Sequence, residues 1–159
     1  MAPTPFKLQP VDESFFENAP VRLSRTFSIN RPAADVWADL TSDNPLHWCR
    51  ILDGCKWTSE RPFGVGTTRQ VNALKGLNIF KEEFFRWEDG RQMSFYVQEA
   101  SGPLAKRFAE DYLVESTGDN SCTFTWIIAY EPSAIGKLGE ALNKRILGSL
   151  FSDTAQYYA

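Results

Sequence analysis

The chain has 159 residues, 43% hydrophobic and 23% charged, a length and balance that fit one ordinary globular domain. Its 17 Lys and Arg against 20 Asp and Glu leave a net charge of -3, so no excess of cations awaits a phosphate backbone and nucleic acid is excluded as the expected partner. Aromatic residues at 14%, with 12 Phe and 5 Trp, exclude a disordered chain and supply the bulk for a sizeable core.

No apolar run approaches the roughly 18 residues that a transmembrane helix needs. Met1 to Pro5 has no cationic stretch followed by an apolar one, so it does not read as a secretory signal. The expectation is a cytoplasmic protein without a membrane span. Residues 1–20, with several prolines and the acidic group Asp12, Glu13 and Glu17, read as an N-terminal arm, and 21–159 as a single domain.

Val21 to Ile29 alternates, with Val21, Leu23, Arg25, Phe27 and Ile29 on one face, which is the period-two pattern of a half-buried strand. Asn30 is placed to cap a helix that has Pro32 near its first turn and carries Val36, Trp37 and Leu40 on one side. After Asp43-Asn44-Pro45, the segment from Leu46 to Leu52 reads as a second short helix or a turn. From Cys55 to Tyr130 strands alternate with turn chemistry at 61–66, 75–76, 88–90, 101–103 and 117–120, the pattern of short antiparallel hairpins. In the clearest strand Cys122, Phe124, Trp126, Ile128 and Tyr130 share a face; Met93, Phe95 and Val97 do the same one hairpin earlier. Ile135, Leu138, Leu142, Ile146 and Leu150 recur at helical spacing, predicting one long helix from Ser133 to about Ser152, with Glu140 and Lys144 paired on its outer side.

The stretch Phe27 to Trp37, the turn Gly64 to Thr67, the stretch Lys81 to Phe95, and Trp126 followed by Glu131-Pro132 together resemble the START-like superfamily, in particular its polyketide cyclase/dehydrase-like branch. The resemblance covers roughly Val21 to Phe151 and concerns architecture, not catalysis. It implies an α+β helix-grip fold: a curved antiparallel β-sheet wrapped around a long C-terminal helix, with two short helices after the first strand. It also implies a cavity between sheet and helix that takes a small apolar or amphipathic molecule of lipid, polyketide or aromatic type. The alternatives are a cyclase-like enzyme carrying out proton-transfer chemistry such as aldol closure or dehydration, and a protein-interaction or co-chaperone module on the same fold.

Parity and helical spacing nominate Trp57, Val71, Phe84, Phe95, Tyr112, Phe124, Trp126, Leu138 and Leu142 as ligand-binding residues. Arg69, in phase with Val71 and Ala73, could orient a carbonyl or carboxylate, and Tyr112 could donate a hydrogen bond. Glu82 and Glu83 are adjacent in a strand, so at most one faces the cavity; Glu82 is the candidate base or a partner for Arg69. Which of the two points inward stays open, because the strand is apolar in both phases, and a bulge near Lys81 would reconcile them. His47 is a single histidine without an evident acid partner, and Cys49, Cys55 and Cys122 lack metal spacing, so they read as reduced core thiols. No metal and no cofactor is expected. The expected partner is a small hydrophobic ligand, and the expected state is a monomer or a homodimer. Gly136, Gly139 and Gly148 each cost a helix about 1 kcal/mol relative to Ala, which calls for close backbone contact or for room to move.

Overall fold

The computed structural model describes residues 5–159. The arm contributes a short strand, β1 (Phe6–Lys7), and one helical turn, α1 (Phe15–Asn18). The body runs β2 (Val21–Ile29), α2 (Ala33–Leu40), β3 (Leu52–Trp57), β4 (Thr68–Ala73), β5 (Asn78–Glu88), β6 (Gln92–Ala100), β7 (Ala105–Gly118), β8 (Ser121–Pro132), α3 (Ala134–Leu138) and α4 (Glu140–Tyr157). All strand pairs are antiparallel, in the order β2-β8-β7-β6-β5-β4-β3, and β1 adds to β6. A sheet of this length curls, because each strand twists against its neighbour, and the helices close its concave side. This is the α+β helix-grip architecture.

Two clusters mark the two faces. The concave side buries Phe27, Ile29, Phe84, Met93, Phe95, Tyr112, Phe124, Trp126 and Ile128 together with Val36 and Leu40 of α2 and Leu150 and Phe151 of α4. The opposite face is capped by the arm: Phe15 and Phe16 pack on Ala109 and Ala129, residues of the outward parity.

The strand β5 carries its apolar residues in two phases because its pairing with β6 slips twice. Between Lys81 and Glu82 the extra residue lies on β6, so that Gln98 and Glu99 both leave the inner face before Ala100 returns to it. Between Phe84 and Arg86 the extra residue lies on β5, which moves Trp87 back into the concave core while Phe85 stacks on Phe16 outside. Bulges of this kind re-aim side chains without breaking the strand. The outcome for the two glutamates is definite: Glu82 is buried on the inner side, and Glu83 accepts hydrogen bonds from Tyr96 and Gln98 on the other.

Three local expectations are corrected. The helix after β2 begins on Pro32 without any side-chain cap, so Asn30 does not serve as one. The segment after α2 is a run of turns instead of a second helix, with Leu46 at a φ of 59°. The C-terminal helix is two helices separated at Gly139, and Glu140 accepts a hydrogen bond from the Tyr130 hydroxyl instead of pairing with Lys144. Beside the break α3 lies hard against the β6–β7 loop: an added Cβ at Gly136 would lie 2.0 Å from the Leu104 carbonyl oxygen.

Candidate functional site

A cavity of about 140 Å³ lies between the sheet and α4. Its wall is apolar, with Val71 and Ala73 from β4, Phe95 and Val97 from β6, and Ile146, Leu147 and Leu150 from α4. Leu8 of the arm completes it. The arm chain enters where β6 and β7 separate, with Leu8 N donating to Gln98 O and Gln9 N donating to Lys106 O, both at 2.9 Å.

The cavity occupies only one half of the concave side. The other half is filled by aromatic rings. Trp57 stacks on Phe63 at 4.3 Å and donates its Nε1 to Ser42 O at 2.7 Å. Phe84 packs against Trp57, Trp87 and Phe95, and Phe124 packs against Phe27, Tyr112 and Trp126, both without exposed surface. Trp57, Phe84 and Phe124 are therefore core residues and do not line the cavity. Val71, Phe95, Tyr112 and Trp126 do line it. Leu138 and Leu142 do not: they are 90% and 61% exposed. Leu138 belongs to α3, before the interruption at Gly139, and on α4 the wall is made by Asn143, Ile146, Leu147 and Leu150, with Leu142 in the first turn standing outside it.

A buried polar cluster floors the cavity, between its hollow half and the packed aromatic half. Arg69 and Glu82 face each other across the β4–β5 ladder, with Arg69 Nε donating to Glu82 Oε1 at 2.7 Å. Arg69 Nη2 donates to the Tyr112 hydroxyl at 3.3 Å, and that hydroxyl donates to Glu110 Oε1 at 3.2 Å. The same oxygen accepts from Trp126 Nε1 at 2.7 Å. Arg69 Nη1 is buried with no partner among the described residues, and both hydrogen bonds that Glu110 accepts fall on Oε1.

Glu110 is the residue that reading the sequence overlooked. It is two positions before Tyr112 and so of the same parity, but it sits next to Asp111, and either carboxylate could have been the inward one. Asp111 faces outward, where Arg86, Gln92 and Ser94 donate to it. Glu110 has no cation in hydrogen-bond contact; burial first, and then the negative charge of Glu82, push its carboxyl up to about 8, against the pull of the Trp126 hydrogen bond and the Arg69 charge. Burial also holds Glu82 above the ordinary carboxylate value, against the pull of the Arg69 guanidinium to which it is paired at 2.7 Å. The floor thus holds the Arg69–Glu82 pair, a phenol, and a carboxylic acid pushed up to about 8.

The other reactive side chains stand apart. His47 is exposed and packs edge-on against Trp48 and Tyr157. Burial raises the Cys49 and Cys55 thiols to about 12, which keeps them unreactive.

Comparison with known proteins agrees with this architecture. Residues 20–156 match the family described as polyketide cyclase/dehydrase and lipid transport. The chain belongs to this family. An uncharacterized protein of Mycobacterium tuberculosis, Rv2574, is 33% identical over 117 residues, 73% of this chain and 69% of that protein. Among solved structures, a START superfamily protein from Mycobacterium smegmatis superposes with a TM-score of 0.66 at 14% identity, over 86% of this chain and 96% of the other. The ZhuI aromatase/cyclase from Streptomyces sp. R1128 superposes with a TM-score of 0.65 at 13% identity, over 87% and 93%. At these identities the structural likeness establishes the fold.

Proposed function

We propose that this member of the polyketide cyclase/dehydrase and lipid transport family binds one small amphipathic molecule, its apolar body in the cavity and an oxygen atom directed at Glu110 and Arg69. The observation that carries this reading is the polar floor itself, where an apolar wall meets a buried guanidinium N–H without a partner among the described residues, beside a carboxyl that accepts both of its hydrogen bonds on Oε1. An unsatisfied buried donor costs roughly 1–3 kcal/mol. A guest carbonyl or hydroxyl oxygen would accept from Arg69 Nη1 and from protonated Glu110, offsetting that cost. The volume sets the scale of the guest: about 140 Å³ is close to the roughly 150 Å³ of an apolar cavity that takes up benzene.

Calorimetric titration with acetophenone and with its apolar isostere cumene tests the reading. At pH 6.5 acetophenone should bind about tenfold more tightly than cumene, the worth of one good hydrogen bond. That preference should shrink above pH 8 in the wild type and become independent of pH in Glu110→Gln. Equal affinities at every pH would remove the polar floor from the binding site, and binding of neither would remove the cavity.

A second reading, a proton-transfer enzyme of the cyclase or dehydratase type, is favoured by the same carboxyl. An acid that keeps its proton near neutral pH can give it to a departing hydroxyl, which leaves as water, and the carboxylate so formed can take the proton from the neighbouring carbon as the double bond forms. In this reading Glu110 is the acid, Arg69 orients the carbonyl, Tyr112 donates a hydrogen bond, and Glu82 neutralises Arg69 instead of acting as base. Native mass spectrometry of freshly purified protein, repeated after incubation, separates the two readings. A retained guest of unchanged mass speaks for binding alone, and loss of water from it speaks for chemistry.

A further inference from the structure

The antiparallel sheet has two ends, and they differ in character. One end carries the β3–β4, β5–β6 and β7–β8 connections; the other carries the β4–β5 and β6–β7 connections and the start of α3. At the second end five large apolar side chains stand in solvent: Leu77 at 78%, Leu104 at 38%, Ile135 at 60%, Leu138 at 90% and Leu142 at 61%. They form one rim. Ser101 Oγ joins the first two loops by donating to Leu77 O at 3.2 Å, and Ser133 N joins the second loop to α3 by donating to Leu104 O at 3.0 Å. This rim surrounds the cavity, whose wall includes Leu74, Asn78, Gly102 and Leu104. The folded core gives no reason for leaving so much apolar surface exposed around a cavity mouth, and contiguous patches of this kind mark contact surfaces.

The charges identify the partner. Lys75, Lys106, Lys137 and Lys144 are exposed on the same rim and make no ion pair among the described residues. Of the nearby acids, Glu99 and Glu131 are ion-paired with Lys81 and Arg107, while Asp53 and Glu140 accept hydrogen bonds from the Gly76 amide and the Tyr130 hydroxyl and keep their charge. At the far end Glu60, Asp89 and Asp119 are exposed, and Arg61 and Arg91 are ion-paired. A chain of net charge -3 therefore places four lysines without an ion-pair partner among the described residues around its apolar rim. A second copy of the same rim would bring lysines against lysines. An anionic lipid bilayer offers what the rim lacks, negative headgroups for the lysines and acyl chains for the leucines.

We propose that this rim docks on anionic membrane surfaces, presenting the mouth of the cavity to the bilayer. The proposal goes beyond binding in the cavity and does not depend on it, since the rim residues substituted below lie outside the cavity wall. Cosedimentation with vesicles of equal parts phosphatidylglycerol and phosphatidylcholine, and with phosphatidylcholine alone, tests it. The wild type should bind the anionic vesicles, bind the neutral ones far less, and lose binding as salt rises. The double variant Leu138→Ser/Leu142→Ser, which alters only exposed positions, should reduce the partition coefficient by about tenfold or more. Lys137→Glu/Lys144→Glu should do the same and flatten the salt dependence. Absence of binding to anionic vesicles overturns the proposal, as does binding that neither variant weakens. Sedimentation equilibrium showing a dimer that Leu138→Ser disperses would overturn it in favour of a second copy. Acetophenone titration of the same variants without lipid keeps the cavity reading separate: a variant that binds acetophenone normally but not vesicles has lost docking only.

Discussion

Trp126 and Glu110 meet at the cavity floor, the indole Nε1 donating to the carboxyl Oε1 at 2.7 Å. The bond fixes which oxygen of Glu110 is occupied and leaves Oε2 to carry the proton. Because burial holds the carboxyl at about 8 against an ordinary 4.5, the folded protein keeps this proton over a range in which the unfolded chain has lost it.

The sign of the pH effect follows directly. Between about pH 4.5 and about pH 8 the native state binds more protons at this site than the unfolded state, so the contribution of Glu110 to stability is fully present below about 4.5 and is lost as pH rises to about 8. Glu110→Gln keeps the shape and cannot ionise. Thermal unfolding from pH 5 to pH 8.5 should show wild-type stability falling relative to the variant by on the order of a few kcal/mol across that window. Parallel profiles would mean that Glu110 is ionised in the folded protein.

Arg69 and Glu82 should be much more costly to separate than to remove together. Arg69→Met leaves a carboxyl buried without its counter-ion, and Glu82→Gln leaves a guanidinium in the same position. Each should lower stability by about 3–5 kcal/mol, and Arg69→Met/Glu82→Gln should cost less than their sum by at least about 1 kcal/mol. Urea unfolding of the three variants measures the coupling; strict additivity would show that the pair is not a unit. Activity lost in either single variant would accordingly be read as a folding effect until stability has been matched.

The parity of β4 and β8 made Arg69, Val71 and Trp126 legible as inward residues, and the alternatives for Glu82 included the partner it has. Parity names a face of the sheet and not a position along it. Nothing in the sequence separated Trp57, Phe84 and Phe124, at the end filled by rings, from Val71, Val97 and Ala100, at the end left hollow. The helical series failed for a different reason. Leu138 is separated from Ile146 by Gly139, where the helix stops and restarts, whereas Leu142 shares α4 with Ile146 but stands exposed in its first turn, where Asn143 takes the place in the wall. Beside that interruption Gly136 lies against the Leu104 carbonyl, a contact between residues far apart in the chain and invisible to any periodicity.

Gly136 and Gly148 should therefore respond differently to alanine. At Gly136 a Cβ would collide with the Leu104 carbonyl, a backbone group that cannot swing aside, so Gly136→Ala should destabilise by about 1–3 kcal/mol. At Gly148 nothing lies within 4 Å of the added carbon, and Gly148→Ala should stabilise by up to about 1 kcal/mol through helix propensity alone. Melting temperatures of the two variants should move in opposite directions. A fall for both would place an unseen constraint on Gly148.

The size of the cavity implies a last distinction, between guests that fit and guests that need an opening. A single ring matches about 140 Å³; a two-ring or long-chain guest does not, so it requires the rim to part. One seam is where α3 meets the β6–β7 loop, closed by Ser133, whose N–H donates to Leu104 O and whose hydroxyl donates to Pro103 O. Ser133→Ala removes the hydroxyl bond, and with it the acceptor that caps α3 through the Gly136 amide at 2.9 Å. In stopped-flow measurements of Trp126 emission, the association rate of 1-acetonaphthone should then rise by about fivefold or more, as a loss of roughly 1 kcal/mol at the seam implies. The association rate of acetophenone should stay within about twofold of the wild type, since its entry does not need the seam to open. Equal acceleration of both guests would show that even one ring enters by way of α3, and no change in either would locate the opening elsewhere on the rim.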